Sequence, residues 1–297
     1  MSRTAGFEGR AALVTGGGTG LGLEIARLLA RDGAKVALAS RSAAHLEEGA
    51  ASLRAEACEP LLVPCDVRDF RAVRRLVRDV EGSFGPLRIV VNNAAGNFVR
   101  PAEALPEKAF ANVVDIVLNG TFYVSRAAGN AMIAHGQGGA ILNVVATYAW
   151  TGGPGTVHSA CAKAGVLAMT RTLAVEWARH GIRVVAVAPG PFDSKGASDR
   201  LWPTPELEER VRRSIPLGRF ATREEVARAS VWLLSDEAAY ATGECLTLDG
   251  GGWLGRGILG SDDPIPKVRK GTGTVSRGSD SVRKGTGTVS RGSDSGD

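Results

Sequence analysis

The sequence predicts an α/β fold built on a doubly wound parallel sheet. Short apolar runs alternate with helix-period stretches, the first run opens into a glycine-rich turn that starts a helix, and several later runs end in small or polar residues. Strands joined by helical crossovers pair in parallel, and ligands then gather at their carboxyl ends.

The chain has 297 residues, 44% apolar and 23% charged, enough to bury a substantial core. Its 39 glycines suit many tight turns between strand and helix. The net charge is +5, but from Lys267 onward there are seven Lys/Arg against three Asp, leaving 29 basic and 28 acidic residues before that point. The basic excess therefore sits in the tail, and no nucleic-acid partner is expected, because the body carries no basic stripe with interleaved aromatics. Cys58, Cys65, Cys161 and Cys245 are scattered without a CxxC pair or a His at ligand spacing, so neither a metal site nor a disulfide framework is expected. The opening MSRTAGFEGR lacks the apolar core of a signal peptide, and no run of 18 apolar residues predicts a membrane span. A cytoplasmic protein with no membrane partner is the expectation.

Arg10 to Thr15 reads as the first strand and Leu21 to Ala30 as the first helix, with GGGTGLG between them: Gly16, Gly17, Gly18, Thr19, Gly20, Leu21 and Gly22. Such glycines let backbone approach a phosphate, and the helix N-terminus offers unpaired N–H groups and a partial positive charge. The same turn could also be a tight connection without a ligand. The second strand, Ala34 to Ser40, ends in Arg41 where NAD sites commonly carry an acid. An arginine there suits a 2′-phosphate and favours NADP.

The third strand, Pro60 to Pro64, delivers Cys65, Asp66, Val67 and Arg68 to the same edge, and a helix follows from Asp69 to Phe84. The fourth, Leu87 to Val91, runs into Asn92, Asn93, Ala94, Ala95 and Gly96, suited to lining a cofactor groove. Glu107 to His135 reads as one long helix interrupted at Asn119-Gly120, both poor interior helix formers. A break there could aim the Asn amide inward, or the Asn could simply be hydrogen-bonded in the core.

Ala140 to Val145 is the fifth strand, with Tyr148 at its end. The helix from Thr156 to His180 carries Lys163 and many small residues, which suits close packing and a homo-oligomer. Ile182 to Ala188 is the sixth strand, ending in Pro189, Gly190, Pro191 and Phe192. A polar segment and a short charged helix, about 193–216, read as a lid. Thr222 and Glu225 form the capping box of a helix ending at Ser235, and Glu244 to Leu248 is the last strand. Residues 1–260 are then one folded domain. In residues 261–297 the 14-residue segment VRKGTGTVSRGSDS occurs twice, Val268 to Ser281 and Val282 to Ser295, a composition too polar to order itself.

With TGGGTGLG at Thr15 to Gly22, NNAAG at Asn92 to Gly96, Asn119, Lys163 and Pro189-Gly190 in order, the chain resembles the short-chain dehydrogenase/reductase family from about Phe7 to Leu254. The resemblance implies a single Rossmann-like domain with a seven-stranded parallel sheet flanked by helices, usually a tetramer or dimer. It departs where that family carries its proton donor. The family uses Tyr-x-x-x-Lys with a Ser thirteen residues before the Tyr, and those positions hold Ser159 and Ala146. A hydroxymethyl is shorter and far less acidic than a phenol.

Tyr148, fifteen residues before Lys163, offers a phenol from another direction, and this arrangement is similar to the 2,4-dienoyl-CoA reductases. NAAGNF at Asn93 to Phe98, DIVLNG at Asp115 to Gly120 and SACAK at Ser159 to Lys163 agree with it. The resemblance implies NADPH-dependent reduction of a 2,4-dienoyl-CoA. Tyr148 and Asn119 would face the thioester oxygen, Lys163 the nicotinamide ribose, and Asp115 would orient water or the amide. Gly16 to Gly22 would cradle the pyrophosphate, Arg41 the 2′-phosphate, Asp66 and Val67 the adenine, and Pro189 to Phe192 the carboxamide. Asn93, Ala94 and Gly96 would line the cofactor, while Arg68, Asn97, Phe98, Ser159 and Arg200 would meet the acyl-CoA. Two alternatives stay open: another reductase acting on a 2-enoyl or 3-oxoacyl thioester or a ketone, and a catalytically inactive NADP-binding regulator.

Overall fold

The computed structural model describes residues 6–193 and 204–254. Seven strands form one parallel sheet in the order β3-β2-β1-β4-β5-β6-β7: β1 Ala11–Thr15, β2 Lys35–Ser40, β3 Leu61–Pro64, β4 Leu87–Asn92, β5 Gly139–Val144, β6 Ile182–Pro189 and β7 Cys245–Leu248. The order reverses between β1 and β4, which pair with Thr15 opposite Asn92. At such a switch point the following connections leave toward opposite faces and open a crevice.

Each strand is apolar on both sides because helices cover both faces. Ala12 and Val14 of β1 pack with Val36, Leu38 and Ile89 against α1 (Gly20–Arg31), α2 (Ala43–Arg54) and α9 (Arg223–Leu234). Ala11 and Leu13 face the other way with Val90 and Ile141, against α3 (Phe70–Phe84), α5 (Gly120–His135) and α7 (Val157–Trp177). Between these, α4 (Glu107–Val114) leads into α5, α6 (Tyr148–Thr151) follows β5, and α8 (Pro205–Arg213) precedes α9. Thr222 caps α9 as read from the sequence: its hydroxyl accepts from Glu225 N at 3.1 Å, and its N–H donates to the Glu225 carboxylate at 2.8 Å.

Two sequence readings are corrected. The long helix is not broken at Asn119-Gly120: Asp115–Asn119 form one π turn and the chain continues directly into α5. The wide turn lets Gly120 press on the end of the β3 connection, where a Cβ would lie 2.7 Å from Val67 Cγ2. Tyr148 is not at a strand end, because β5 stops at Val144 and Tyr148 opens the one-turn helix α6. The lid reading falls partly, and the tail reading wholly, outside the described residues. Among the described residues no helix is long and apolar enough to cross a membrane.

The glycine turn after β1 is fixed by contact. A Cβ on Gly18 would sit 2.3 Å from the His45 carbonyl oxygen of α2, and one on Gly49 would sit 2.9 Å from Gly18 Cα. Backbone meets backbone there, so neither side can yield cheaply. Gly18→Ala is expected to lower stability by about 1–3 kcal/mol, read as a lower melting temperature by circular dichroism.

Candidate active site

The site begins where β1 and β4 end. Thr15 Oγ1 donates to Val91 O at 3.2 Å and accepts from the Asn93 and Ala94 N–H groups at 3.1 and 3.2 Å. The Asn93 amide donates to Thr15 O at 3.2 Å and Gly16 O at 3.1 Å. Its groups thus brace the glycine turn instead of pointing toward a ligand. A Cβ on Gly22 would lie 2.4 Å from Asn93 Nδ2, so the start of α1 is drawn tight against the same side chain.

This cradle fits a dinucleotide phosphate. Thr19, the N-cap of α1, makes no side-chain capping bond, and no acid occupies the first turn, so the positive end of the helix is left for an anion. Arg41, exposed just after β2, helps hold the Asp66 carboxyl below its usual range, although the main cause is Arg68. Arg68 pairs with that carboxylate at 2.6 Å and reaches toward Asn112 Oδ1 at 3.5 Å. The sequence assigned these two residues to adenine and CoA separately, whereas the structure joins them as one ion pair. Val67 is buried beside Gly120, Gly190 packs on Asp249, and Phe192 is partly buried against the core with a bridge to Ala221. Arg200 lies outside the described residues.

Across the crevice, Lys163 and Ser159 stand one helical turn apart on α7, on one face. Lys163 is 7% exposed and its ammonium donates to the Val144 carbonyl; burial pushes its pKa down to about 8. Ser159 Oγ lies 3.0 Å from Tyr148 Oη, and Asn97 Nδ2 donates to the same oxygen at 3.3 Å. Tyr148, Ser159 and Asn97 therefore come together as one cluster. Burial pushes the Tyr148 phenol up, while the bonds from Ser159 and Asn97 oppose the rise. A phenol in that balance stays protonated near neutrality, yet has two donors ready for its oxygen as its proton is shared with a substrate.

Asn119 and Asp115 sit at the two ends of the π turn, and the Asn119 amide donates to the Asp115 carboxylate at 2.8 Å. One amide N–H is taken up by that bond and the other remains available, while no bond joins either residue to Tyr148. Phe98, expected at the substrate, is stacked on the buried His158 with ring centroids 4.3 Å apart. Sequence reading missed His158, which sits in an apolar helix pattern without a motif. It also missed the buried chain in which Asn92 donates to Ser125 and Asn143 and Asn143 donates to Thr170, each at 2.9 Å. The Asn92-Asn93 pair was its visible end. Among the described residues no group of three His, Cys, Asp or Glu is placed to hold a metal.

Known proteins show the same arrangement of elements. A family model described as enoyl-(acyl carrier protein) reductase matches residues 16–252. A Bacillus subtilis protein named probable 2,4-dienoyl-CoA reductase, (2E)-enoyl-CoA-producing, is 44% identical over 249 residues, spanning 84% of this chain and 98% of that protein. A peroxisomal 2,4-dienoyl-CoA reductase, (3E)-enoyl-CoA-producing, from Pongo abelii is 41% identical over 252 residues, 82% of this chain and 84% of its own. The crystal structure of a short chain dehydrogenase from Bacillus anthracis superposes with a TM-score of 0.77 at 44% identity, covering 84% of this chain and 98% of that one. The chain belongs to the short-chain dehydrogenase/reductase family and is an oxidoreductase. Its fold implies a nicotinamide dinucleotide as cofactor.

The Lys163 environment has a consequence for stability. Free lysine titrates at about 10.4, so between that value and the folded pKa the unfolded chain holds the extra proton, and stability rises with pH. The gain is lost again as pH falls through about 8. Lys163→Met is expected to flatten this slope, worth about 3 kcal/mol across the window, in urea unfolding of the cofactor-free enzyme.

Proposed function

We propose that the enzyme reduces 2,4-dienoyl-CoA to enoyl-CoA with NADPH, in the β-oxidation of unsaturated acyl chains. The observation that carries this reading is Tyr148 on α6, fixed by Ser159 and Asn97, with Ser159 standing where relatives that reduce carbonyls would need a tyrosine. The names of the Bacillus subtilis and Pongo abelii relatives support the substrate class.

NADPH, when bound, supplies a hydride to the far alkene carbon, C5, of the dienoyl chain. Two electrons then shift through the conjugated system to the thioester oxygen, leaving a dienolate. Tyr148 Oη–H and the free amide N–H of Asn119 donate to that oxygen, and donors already in place where charge develops lower the barrier without reorganisation. Asp115 fixes the Asn119 amide through the bond it accepts. Ser159 and Asn97 compensate charge that builds on the Tyr148 oxygen as its proton moves toward the substrate. Lys163 holds the nicotinamide ribose, and its cation favours negative charge nearby. Protonation at C2 yields a 3-enoyl thioester and protonation at C4 a 2-enoyl thioester, the two products that the relatives' names distinguish. The supply of that last proton completes the balance, from Tyr148 or a water held near Asp115.

Arg41 supports NADPH over NADH. A homo-oligomer, which we take to be a tetramer, agrees with the exposed Phe122 on α5 and Val175 on α7.

Purified enzyme with NADPH should consume a 2,4-dienoyl-CoA and leave a 3-oxoacyl-CoA largely untouched, followed at the nicotinamide absorbance. The opposite preference would overturn the reading, and tight NADPH binding without turnover would make the chain a regulator. Tyr148→Phe should lower kcat by about a hundredfold. Arg41→Ala should raise KM for NADPH roughly tenfold and leave that for NADH within about twofold in steady-state assays.

A further inference from the structure

We propose that His158 is a positioning residue, which holds Asn97 in place on Tyr148 by stacking on Phe98. The inference rests on Tyr148 being the donor, and it adds a residue for which no role has been given.

His158 is fully buried, and neither ring nitrogen makes a hydrogen bond of good geometry, its polar neighbour being the Phe98 backbone carbonyl. A buried polar ring so weakly satisfied is costly, so its place calls for a reason beyond its nitrogens. Burial pushes its pKa down, the Phe98 carbonyl partly offsetting this, and the ring presents an uncharged flat face. That face lies on Phe98 with centroids 4.3 Å apart and planes 25° from parallel. Aromatic pairs of this kind favour one geometry over others beyond their buried area.

From Phe98 the connection passes through the backbone. The Phe98 N–H donates to Asn97 Oδ1 at 2.9 Å, which turns the carboxamide so that Nδ2 faces Tyr148 Oη at 3.3 Å. The segment is pinned a second time at Arg100, whose N–H donates to Gly155 O at 2.8 Å. Space is tight there: a Cβ on Gly155 would meet Val99 Cγ1 at 2.8 Å. Both ties run to the start of α7 and the turn before it. Consecutive residues of α7 thus set the two donors on the phenol, Ser159 directly and Asn97 by way of His158 and Phe98. The Asn97 bond is already long, and such bonds weaken steeply with further distance or bending. The glycine turn and Lys163 lie outside this chain of contacts, so KM for NADPH serves as the control.

The test compares His158→Ala, His158→Phe, Asn97→Ala and the His158→Ala/Asn97→Ala double variant in the full chain. With NADPH and a 2,4-dienoyl-CoA, His158→Ala should lower kcat about tenfold and keep KM for NADPH within about twofold. His158→Phe retains a flat ring and should bring kcat to within about threefold of the parent. The double variant should lose no more than Asn97→Ala alone, since the two act through one contact. Amide hydrogen exchange at Phe98 in the free enzyme should accelerate in His158→Ala and not in His158→Phe. Should the alanine variant fail to fold, His158→Leu keeps the volume without the ring and takes its place. Multiplying losses in the double variant, or unchanged Phe98 exchange when the ring is removed, would overturn the proposal. If the parent enzyme ignores dienoyl-CoA, the substrate reading fails by itself, and the exchange measurement still decides whether His158 holds this segment.

Discussion

The crevice depends on the brace between the carboxyl ends of β1 and β4. Thr15 and Asn93 satisfy each other's backbone and side-chain groups across the point where the strand order reverses. Without that brace the glycine turn would be a loop of residues with little side chain to hold it, and glycine loses much conformational freedom on ordering. With it, the start of α1 is drawn so close that Gly16 and Gly22 leave no room for a Cβ beside the Asn93 amide. The backbone itself then becomes the binding surface, and α2 locks its outer side through the Gly18–Gly49 contact.

Helix α7 does for the reaction what this brace does for the cofactor. Ser159 and Lys163 leave its first two turns toward the crevice while His158 turns onto Phe98, and the helix is held to the sheet through Ala162, Val166 and Leu173. Small residues let it come close: Gly165 packs against Leu118 of the π turn, where a Cβ would lie 2.9 Å away. The π turn and α7 therefore share a surface, which fixes the Asp115–Asn119 pair relative to Lys163 without any direct bond between them. Rigid elements place side chains more reproducibly than loops do, and the one loop residue in the cluster, Asn97, has its own restraints.

The parallel sheet was legible in the sequence because buried strands leave short apolar runs and the crossovers leave helical spacing. The capping box at Thr222 and Glu225 was legible for the same local reason. Cases where tertiary contact overrides local pattern were not legible. Asn119-Gly120 reads as a helix break because both residues have poor helix propensity, yet a π turn absorbs them and places Gly120 on Val67. Asp66 and Arg68 read as two separate binding residues, but their separation of two positions lets them close on each other after β3. His158 carries no local sign at all, since its partner Phe98 lies sixty residues earlier in a segment without regular structure.

Moving the phenol from α7 to α6 changes what surrounds it. At the position of Ser159 a tyrosine would stand one turn from Lys163, on the same helix face, with the buried ammonium as its nearest charge. From α6 the phenol reaches the same region with the uncharged Ser159 and Asn97 as its partners. Neutral donors stabilise a partial charge and leave a full phenolate costly in a buried site. That favours sharing a proton with an oxygen whose own charge is spread over a conjugated system, and disfavours complete transfer to the localised alkoxide formed from a ketone. The placement of Tyr148 thus bears on which acceptor the enzyme can reduce, through the chemistry of two uncharged neighbours.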